Sequence, residues 1–264
     1  MLIDDPFNPL LDDIRNLKRS DAEKGLVIAE GPLVAGRLVE SRFPLRAVYG
    51  FGGRLAAFLE EHGDELSRRG VPVYETPREV MGAAAGYDLH RGLLASADRP
   101  EPLTVPEVIG GARSLVILEG VGDHENIGSI FRNAAGMGVD GVLFGASTAD
   151  PLYRRSVRVS MGHVLRTPFA HLEGTTTTWQ RSLTQLQDAG FHVVALTPSH
   201  DAVPLKQACA GREKIAFLVG AEGPGLTEHA MRAADVRAQI PMAPGTDSLN
   251  VATSAAIAFY EFMR

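Results

Sequence analysis

Three short stretches hold the residues best suited to chemistry. In the first, LEGVGDHENIGSIFRNAAGMG (118–138), Asn126 sits at the mouth of a helix, and Arg132 follows six residues on, off the apolar stripe of Ile127, Ile130, Phe131, Ala134 and Ala135. In the second, AFLVGAEGPGL (216–226), Glu222 is held among Gly220, Gly223 and Gly225, and such a run lets a ligand approach the backbone closely. In the third, IPMAPGTDSLNV (240–251), Ser248 reads as a helix N-cap, whereas Asn250 is an indifferent former of a first turn and needs another reason to be there. Singly, each has a plain reading: a capping asparagine, a solvated arginine, a flexible turn with an exposed acid. Arginine stays protonated, so Arg132 suits holding an anion or orienting a polar group better than removing a proton. A fourth stretch, YRRSVRVSMGHVLR (153–166), has four arginines and no acid. Arg154, Arg155 and Arg158 can share a helix face there, an arrangement suited to phosphates.

Other chemistries are excluded by what is missing. The chain has no G-x-x-x-x-G-K-[ST] phosphate loop, no G-x-S-x-G elbow, and no C-x-x-C, H-E-x-x-H or His/Cys cluster for a metal. GMGVDG (136–141) fits the dinucleotide fingerprint in letters alone. It ends a helix and enters a strand, the reverse of the order that brings a pyrophosphate to a helix N-terminus, and reads as a glycine helix stop.

The elements that must position these residues alternate along 264 residues. Strands at 25–31, 45–51, VPVYET and RGLLASA alternate with helices to make a first α/β unit. DRPEPLTVPEVIGGAR (98–113) reads as a linker, which sets domains at 1–105 and 106–264. Beyond it come strands SLVILEG, GVLFGA, HVVALT, KIAFLVGA and RAQIPMA, with helices starting near Asn126, Arg154, Thr177, Thr227 and Leu249. That alternation implies a mainly parallel sheet with helices on both faces. The net charge of −6 does not advertise nucleic-acid binding, and acidic residues outnumber basic ones on both sides of residue 105, so any RNA surface must come from local clustering. One cysteine, an acidic N-terminal segment and the lack of a long apolar run lead us to expect a cytoplasmic protein with no membrane span.

Taken together, N-I-G-S-I-F-R, G-A-E-G-P-G-L and I-P-M…S-L-N-V, in this order and spacing, resemble the SpoU (TrmH) family of RNA ribose 2′-O-methyltransferases, within the SPOUT superfamily, over roughly residues 112–264. The resemblance implies an α/β domain with a deep trefoil knot near its C-terminus, S-adenosylmethionine (AdoMet) bound in bent form by the knot loops, and a homodimer formed through that domain. Asn133 stands where the family often has Thr, and Ala252-Thr253 where Ser-Val is common; these departures are expected to tune packing. The first domain is similar to the substrate-binding module that often precedes this catalytic domain, a fold shared with kink-turn-binding ribosomal proteins, through LVIAEGPLV and HRGLLA.

The resemblance places Asn126, Arg132, Glu222, Ser248 and Asn250 in the catalytic site. Arg132 is expected to bind a phosphate and orient the ribose, and the others to position substrate and loops. It places AdoMet against Leu196, Thr197, Val219, Gly220, Ala221, Glu222, Gly223, Ile240, Pro241, Met242, Ser248, Leu249, Asn250 and Ala252, without a metal. RNA is expected at Arg154, Arg155, Arg158, Arg166, His90 and Arg91. Ribosomal RNA is favoured over transfer RNA, because an N-terminal RNA module suits larger targets. Two readings of other classes stand beside this one: a non-catalytic RNA-binding protein whose second domain only dimerises, and a dinucleotide-dependent oxidoreductase supported by the glycine match alone.

Overall fold

A computed structural model describes residues 1–17 and 24–264. The chain divides into two compact units, Met1–Glu101 with Pro151–Arg166, and Pro102–Asp150 with Thr167–Arg264.

In the first unit β1 (Leu26–Glu30), α1 (Pro32–Val39), β2 (Leu45–Gly50), α2 (Gly52–Arg68), β3 (Val73–Glu75), α3 (Arg78–Ala85) and β4 (Leu93–Asp98) follow in order. The four-stranded sheet runs β1-β4-β2-β3. It is mixed: β4 is antiparallel to both β1 and β2, and only β2 and β3 are parallel. A 3-10 turn at Pro9–Ile14 inserts Leu11 and Ile14 into a core with Ile28, Tyr49, Met81 and Leu94.

The first passage between units, at 101/102, lies within the 98–113 segment read as a linker, but the second unit opens with α4 (Val105–Ile109), which removes the later part of that segment from the linker. Thr104 caps this helix through a capping box with Glu107, and Val105, Val108 and Ala112 enter the core. Pro106 is tolerated because a proline in the first turn has no helical N–H to lose. Next come β5 (Ser114–Glu119), α5 (His124–Met137) and β6 (Gly141–Phe144). Gly138, left-handed at φ 78°, stops α5, as the helix-stop reading of GMGVDG anticipated.

The chain then contributes α6 (Arg154–Val159) and the turn His163–Leu165 to the first unit, where α6 packs on β1. The single division expected at 105/106 therefore differs from the observed one, in which the backbone passes between units three times. Back in the second unit follow β7 (Phe169–His171), α7 (Leu183–Asp188), β8 (His192–Leu196), β9 (Val203–Pro204), α8 (Leu205–Cys209), β10 (Ile215–Gly220), α9 (Glu228–Ala233), β11 (Val236–Gln239) and α10 (Val251–Met263).

Seven strands form one sheet in the order β7-β6-β5-β10-β8-β11-β9, and every neighbouring pair is parallel. Its central strands are buried on both faces, which is why Leu115–Leu118 and Ile215–Val219 read as unbroken apolar runs. No helix among the described residues is long and apolar enough to cross a membrane.

Candidate functional site

A parallel sheet brings all of its strand ends with the same polarity to one edge, and ligands bind outside the carboxyl ends. Gly220 pairs with Glu119, Leu218 with Ala195 and Ala238 with Leu196, so the loops after β5, β8, β10 and β11 leave together. Between the last three lies a cavity of about 430 Å³, bounded by Leu196, Gly220, Ile240, Met242 and Leu249. Its size falls in the range of small-molecule sites.

The loop after β10 is folded tightly onto itself. Gly225 N–H donates to the Ala221 carbonyl at 3.0 Å. A Cβ on Gly220 would lie 2.4 Å from Gly225 C and Leu226 N, so glycine is required there by the loop's own closure. Gly223 and Gly225 have φ of 87° and 70°, a region that costs other residues free energy.

Three of the five expected catalytic residues meet. Asn126 Nδ2 donates to Glu222 Oε1 at 3.0 Å, and Asn250 Nδ2 donates to both Glu222 Oε1 and Asn126 Oδ1 at 2.8 Å. Asn250 Oδ1 accepts from the amides of Ala252 and Thr253, which makes Asn250 the N-cap of α10. Its side chain is saturated: its oxygen caps a helix, and its two amide hydrogens go to Asn126 in α5, 124 residues away, and to Glu222 in the loop after β10, 28 residues away.

Two capping assignments are corrected by this geometry. Ser248 is exposed on the cavity wall and does not cap α10; the cap two residues later has its oxygen in reach of two free N–H groups. Asn126 does not cap α5 either. Asp123 does, accepting from Glu125 N, and Asn126 is left as the third residue of the helix, buried and turned toward Glu222.

Arg132 is exposed on α5, bonds to no described residue and does not line the cavity. Its neighbour Asn133 donates to the Ala252 carbonyl at 3.1 Å, so two positions that depart from common family forms touch and tie α5 to α10.

Most of the expected AdoMet contacts line the cavity: Leu196, Thr197, Val219, Gly220, Ala221, Glu222, Gly223, Ile240, Met242, Ser248, Leu249 and Asn250. Pro241 and Ala252 do not. Pro241 points to solvent, and Ala252 is buried on the side of α10 that faces α5. Sequence reasoning missed Pro224, Gly225 and Leu226, which stood within the quoted G-A-E-G-P-G-L turn. It also missed Met231 and Ser254, which reach the wall only because α9 and α10 fold back over it.

The expected phosphate-binding face of α6 is corrected as well. Arg154 is turned into the first unit, its side chain 17% exposed. It donates to Tyr87 Oη at 2.6 Å and to the Leu17 carbonyl at 3.4 Å, and lies 3.5 Å from Glu30 Oε2 and over the Tyr87 ring. A buried carboxylate beside β1 needs a cation, and that need outweighs solvation of the guanidinium. Arg166 pairs with Glu40 at 3.4 Å, Arg158 is half-buried, and His90, Arg91 and Arg155 are exposed. Among the described residues no group of three or more His, Cys, Asp or Glu could hold a metal.

The fold and its edge cavity define an open parallel-sheet α/β protein with a cavity at the carboxyl ends of its strands. The SpoU rRNA Methylase family pattern matches residues 113–260. A protein of Mycobacterium tuberculosis H37Rv, named an uncharacterized tRNA/rRNA methyltransferase, is 52% identical over 98% of this chain and 90% of its own length. An AdoMet-bound rRNA methyltransferase from Sinorhizobium meliloti superposes with a TM-score of 0.83 at 25% identity, covering 99% of this chain and 97% of the other. A structure described as an RNA 2′-O ribose methyltransferase superposes at 0.79 with 26% identity, covering 100% and 98%. The chain belongs to the SpoU methylase family.

Proposed function

We propose that the chain transfers a methyl group from AdoMet to a ribose 2′-hydroxyl of structured RNA, with ribosomal RNA favoured over transfer RNA. The observation that carries this reading is the bonded Asn126–Glu222–Asn250 cluster on the wall of an edge cavity, in a chain of the SpoU family.

The cavity suits AdoMet. Leu196, Ile240, Met242 and Leu249 offer apolar walls for an adenine ring and a thioether arm, and strand-end backbone offers hydrogen bonds. Glu222 Oε2 accepts from no described residue, which leaves one carboxylate oxygen for a positively charged or hydroxyl-bearing ligand. When bound, AdoMet supplies a methyl group on a cationic sulfur.

The chain's own residues then work by positioning, which can supply much of the acceleration of an in-line transfer. The Asn126–Glu222–Asn250 cluster holds the loop after β10 and the starts of α5 and α10 in one geometry. Arg132 grips the phosphate next to the ribose and turns the 2′-hydroxyl toward the methyl group; as the C–O bond forms and the C–S bond breaks, the hydroxyl proton passes to solvent water late in the transfer. The ribosomal preference rests on the family description and on the Sinorhizobium neighbour. The first unit, with His90 and Arg91 exposed, is proposed as the RNA-holding domain. Pairing of two copies through the second unit, a further part of this reading, would cover Ile257 and Tyr260, exposed one turn apart on α10.

The test is methyl transfer by purified protein to ribosomal and transfer RNA, with modified nucleosides identified after digestion. We expect 2′-O-methylated ribose in ribosomal RNA, and a methylated base would overturn the reading. Arg132→Ala should abolish transfer and leave AdoMet affinity within about twofold, because Arg132 is outside the cavity. Arg132→Lys should restore little, since a point charge does not reproduce a planar fork. Recovery of most activity with lysine would refute the orienting role.

A further inference from the structure

We infer that Glu119 is a positioning residue for the cofactor loop, clamping its two ends at once; this rests on the AdoMet reading above. Glu119 ends β5 and is 5% exposed. Its backbone is paired with Gly220, where the loop 221–226 begins. Its carboxylate holds Thr227, where the loop ends: Oε2 accepts from Thr227 N at 2.8 Å and Oε1 from Thr227 Oγ1 at 2.9 Å. Thr227 in turn caps α9 by accepting from Ala230 N at 3.2 Å. Oε1 also accepts from Trp179 Nε1 at 2.9 Å and from Gln180 Nε2 at 3.4 Å. Trp179 is fully buried, and its ring fills the space over Gly145, where a Cβ would come within 2.9 Å of it.

Four uncharged donors thus occupy one buried carboxylate, close to its full accepting capacity. A residue needed only to fill this space would not be acidic, because burying a carboxylate is costly unless each oxygen is bonded. The geometry gives the acid a specific task. The loop that forms one wall of the cavity contains Gly223 and Gly225, both at positive φ, and has little internal bonding beyond the Ala221–Gly225 pair. Fixing both of its ends to β5 sets its shape before any ligand arrives, and preorganisation of this kind lowers the ordering cost of binding.

Glu119→Gln separates this task from folding. The amide keeps size and polarity but replaces one acceptor with a donor. Two N–H groups, from Trp179 and Gln180, converge on the Oε1 position. The amide oxygen therefore takes that side, and the NH₂ opposes Thr227 N–H. The core stays bonded, and the loop exit keeps the bond from Thr227 Oγ1 but loses the one from Thr227 N, whose N–H now faces a donor.

AdoMet binding to the full-length protein is measured by calorimetry and by the fluorescence of Trp179, the single tryptophan. Affinity for bulk bacterial ribosomal RNA is measured by filter binding. Glu119→Gln should fold, weaken AdoMet binding roughly ten- to a hundredfold, remove the fluorescence response, and leave RNA affinity within about twofold. Thr227→Ser, which keeps every bond, should match wild type, and Thr227→Val, which loses the hydroxyl, should fall between. A folded Glu119→Gln protein with wild-type AdoMet affinity overturns the inference, as does an equal loss of AdoMet and RNA affinity. If Glu119→Gln does not fold, wild-type AdoMet affinity in Thr227→Val overturns it. If wild-type protein binds no AdoMet, the cofactor reading itself fails, and the two failures are distinct.

Discussion

At Asn250 one side chain carries two separable duties. Its oxygen caps α10, and its NH₂ group joins Glu222 and Asn126. Asn250→Asp keeps the cap, since aspartate is as good an N-cap as asparagine. It also sets a carboxylate oxygen against Glu222 Oε1 and Asn126 Oδ1 with no hydrogen between them. Stability should fall little, while methyl transfer should drop roughly tenfold to a hundredfold, the equivalent of ~1–3 kcal/mol for groups left unsatisfied. A loss of stability matching the loss of activity would show that the cluster is structural alone. The sequence announced Asn126, Glu222 and Asn250 as three positions in ordered motifs, and an asparagine ill-suited to a helix interior was the local sign. Their bonding to one another was not legible, because it depends on strand register across the sheet. Arg154 shows the opposite failure. An arginine-rich helix reads locally as a solvated face, and the acid that holds Arg154 inward, Glu30, is far upstream in the chain.

At the level of elements, periodicity found the long strands and helices of both units. It missed β7 and β9, which have three and two residues and cannot display a period. It also smoothed over the mixed strand directions of the first sheet, because α/β alternation does not distinguish β4 inserted antiparallel between β1 and β2. The segment 98–113 was misjudged because its prolines drew attention from the T-x-x-E box at Thr104 and Glu107. There Thr104 N and Oγ1 both donate to Glu107 Oε2 at 2.7 Å. Thr104→Ala should therefore destabilise the second unit by about 1 kcal/mol in denaturant unfolding, a typical value for a lost cap. A change below about 0.3 kcal/mol would mean that α4 is held by Val105 and Val108 alone.

For the molecule as a whole, net charge −6 leaves little long-range attraction to RNA, so individual contacts decide the salt dependence. Arg91→Ala and Arg155→Ala, both at exposed positions, should each flatten the slope of log affinity against log salt by about 0.7. Arg154→Ala should leave the slope unchanged and lower stability instead. If Arg154→Ala alters the slope as much as the exposed arginines do, the inward assignment is wrong for the RNA-bound protein.

The excursion of residues 151–166 into the first unit also sets a timetable for synthesis. On a ribosome adding about 5–20 residues per second, β1 and α1 are made roughly 6–25 s before the segment that covers them. Val157, Val164 and Leu165 are buried in the finished first unit, so that unit cannot close until much of its neighbour's first half has been made. A ribosome-bound chain stalled after residue 101 should therefore be readily cut by protease within the first unit, and one stalled well past residue 166 should resist. Equal resistance at both lengths would show that the early portion folds without waiting.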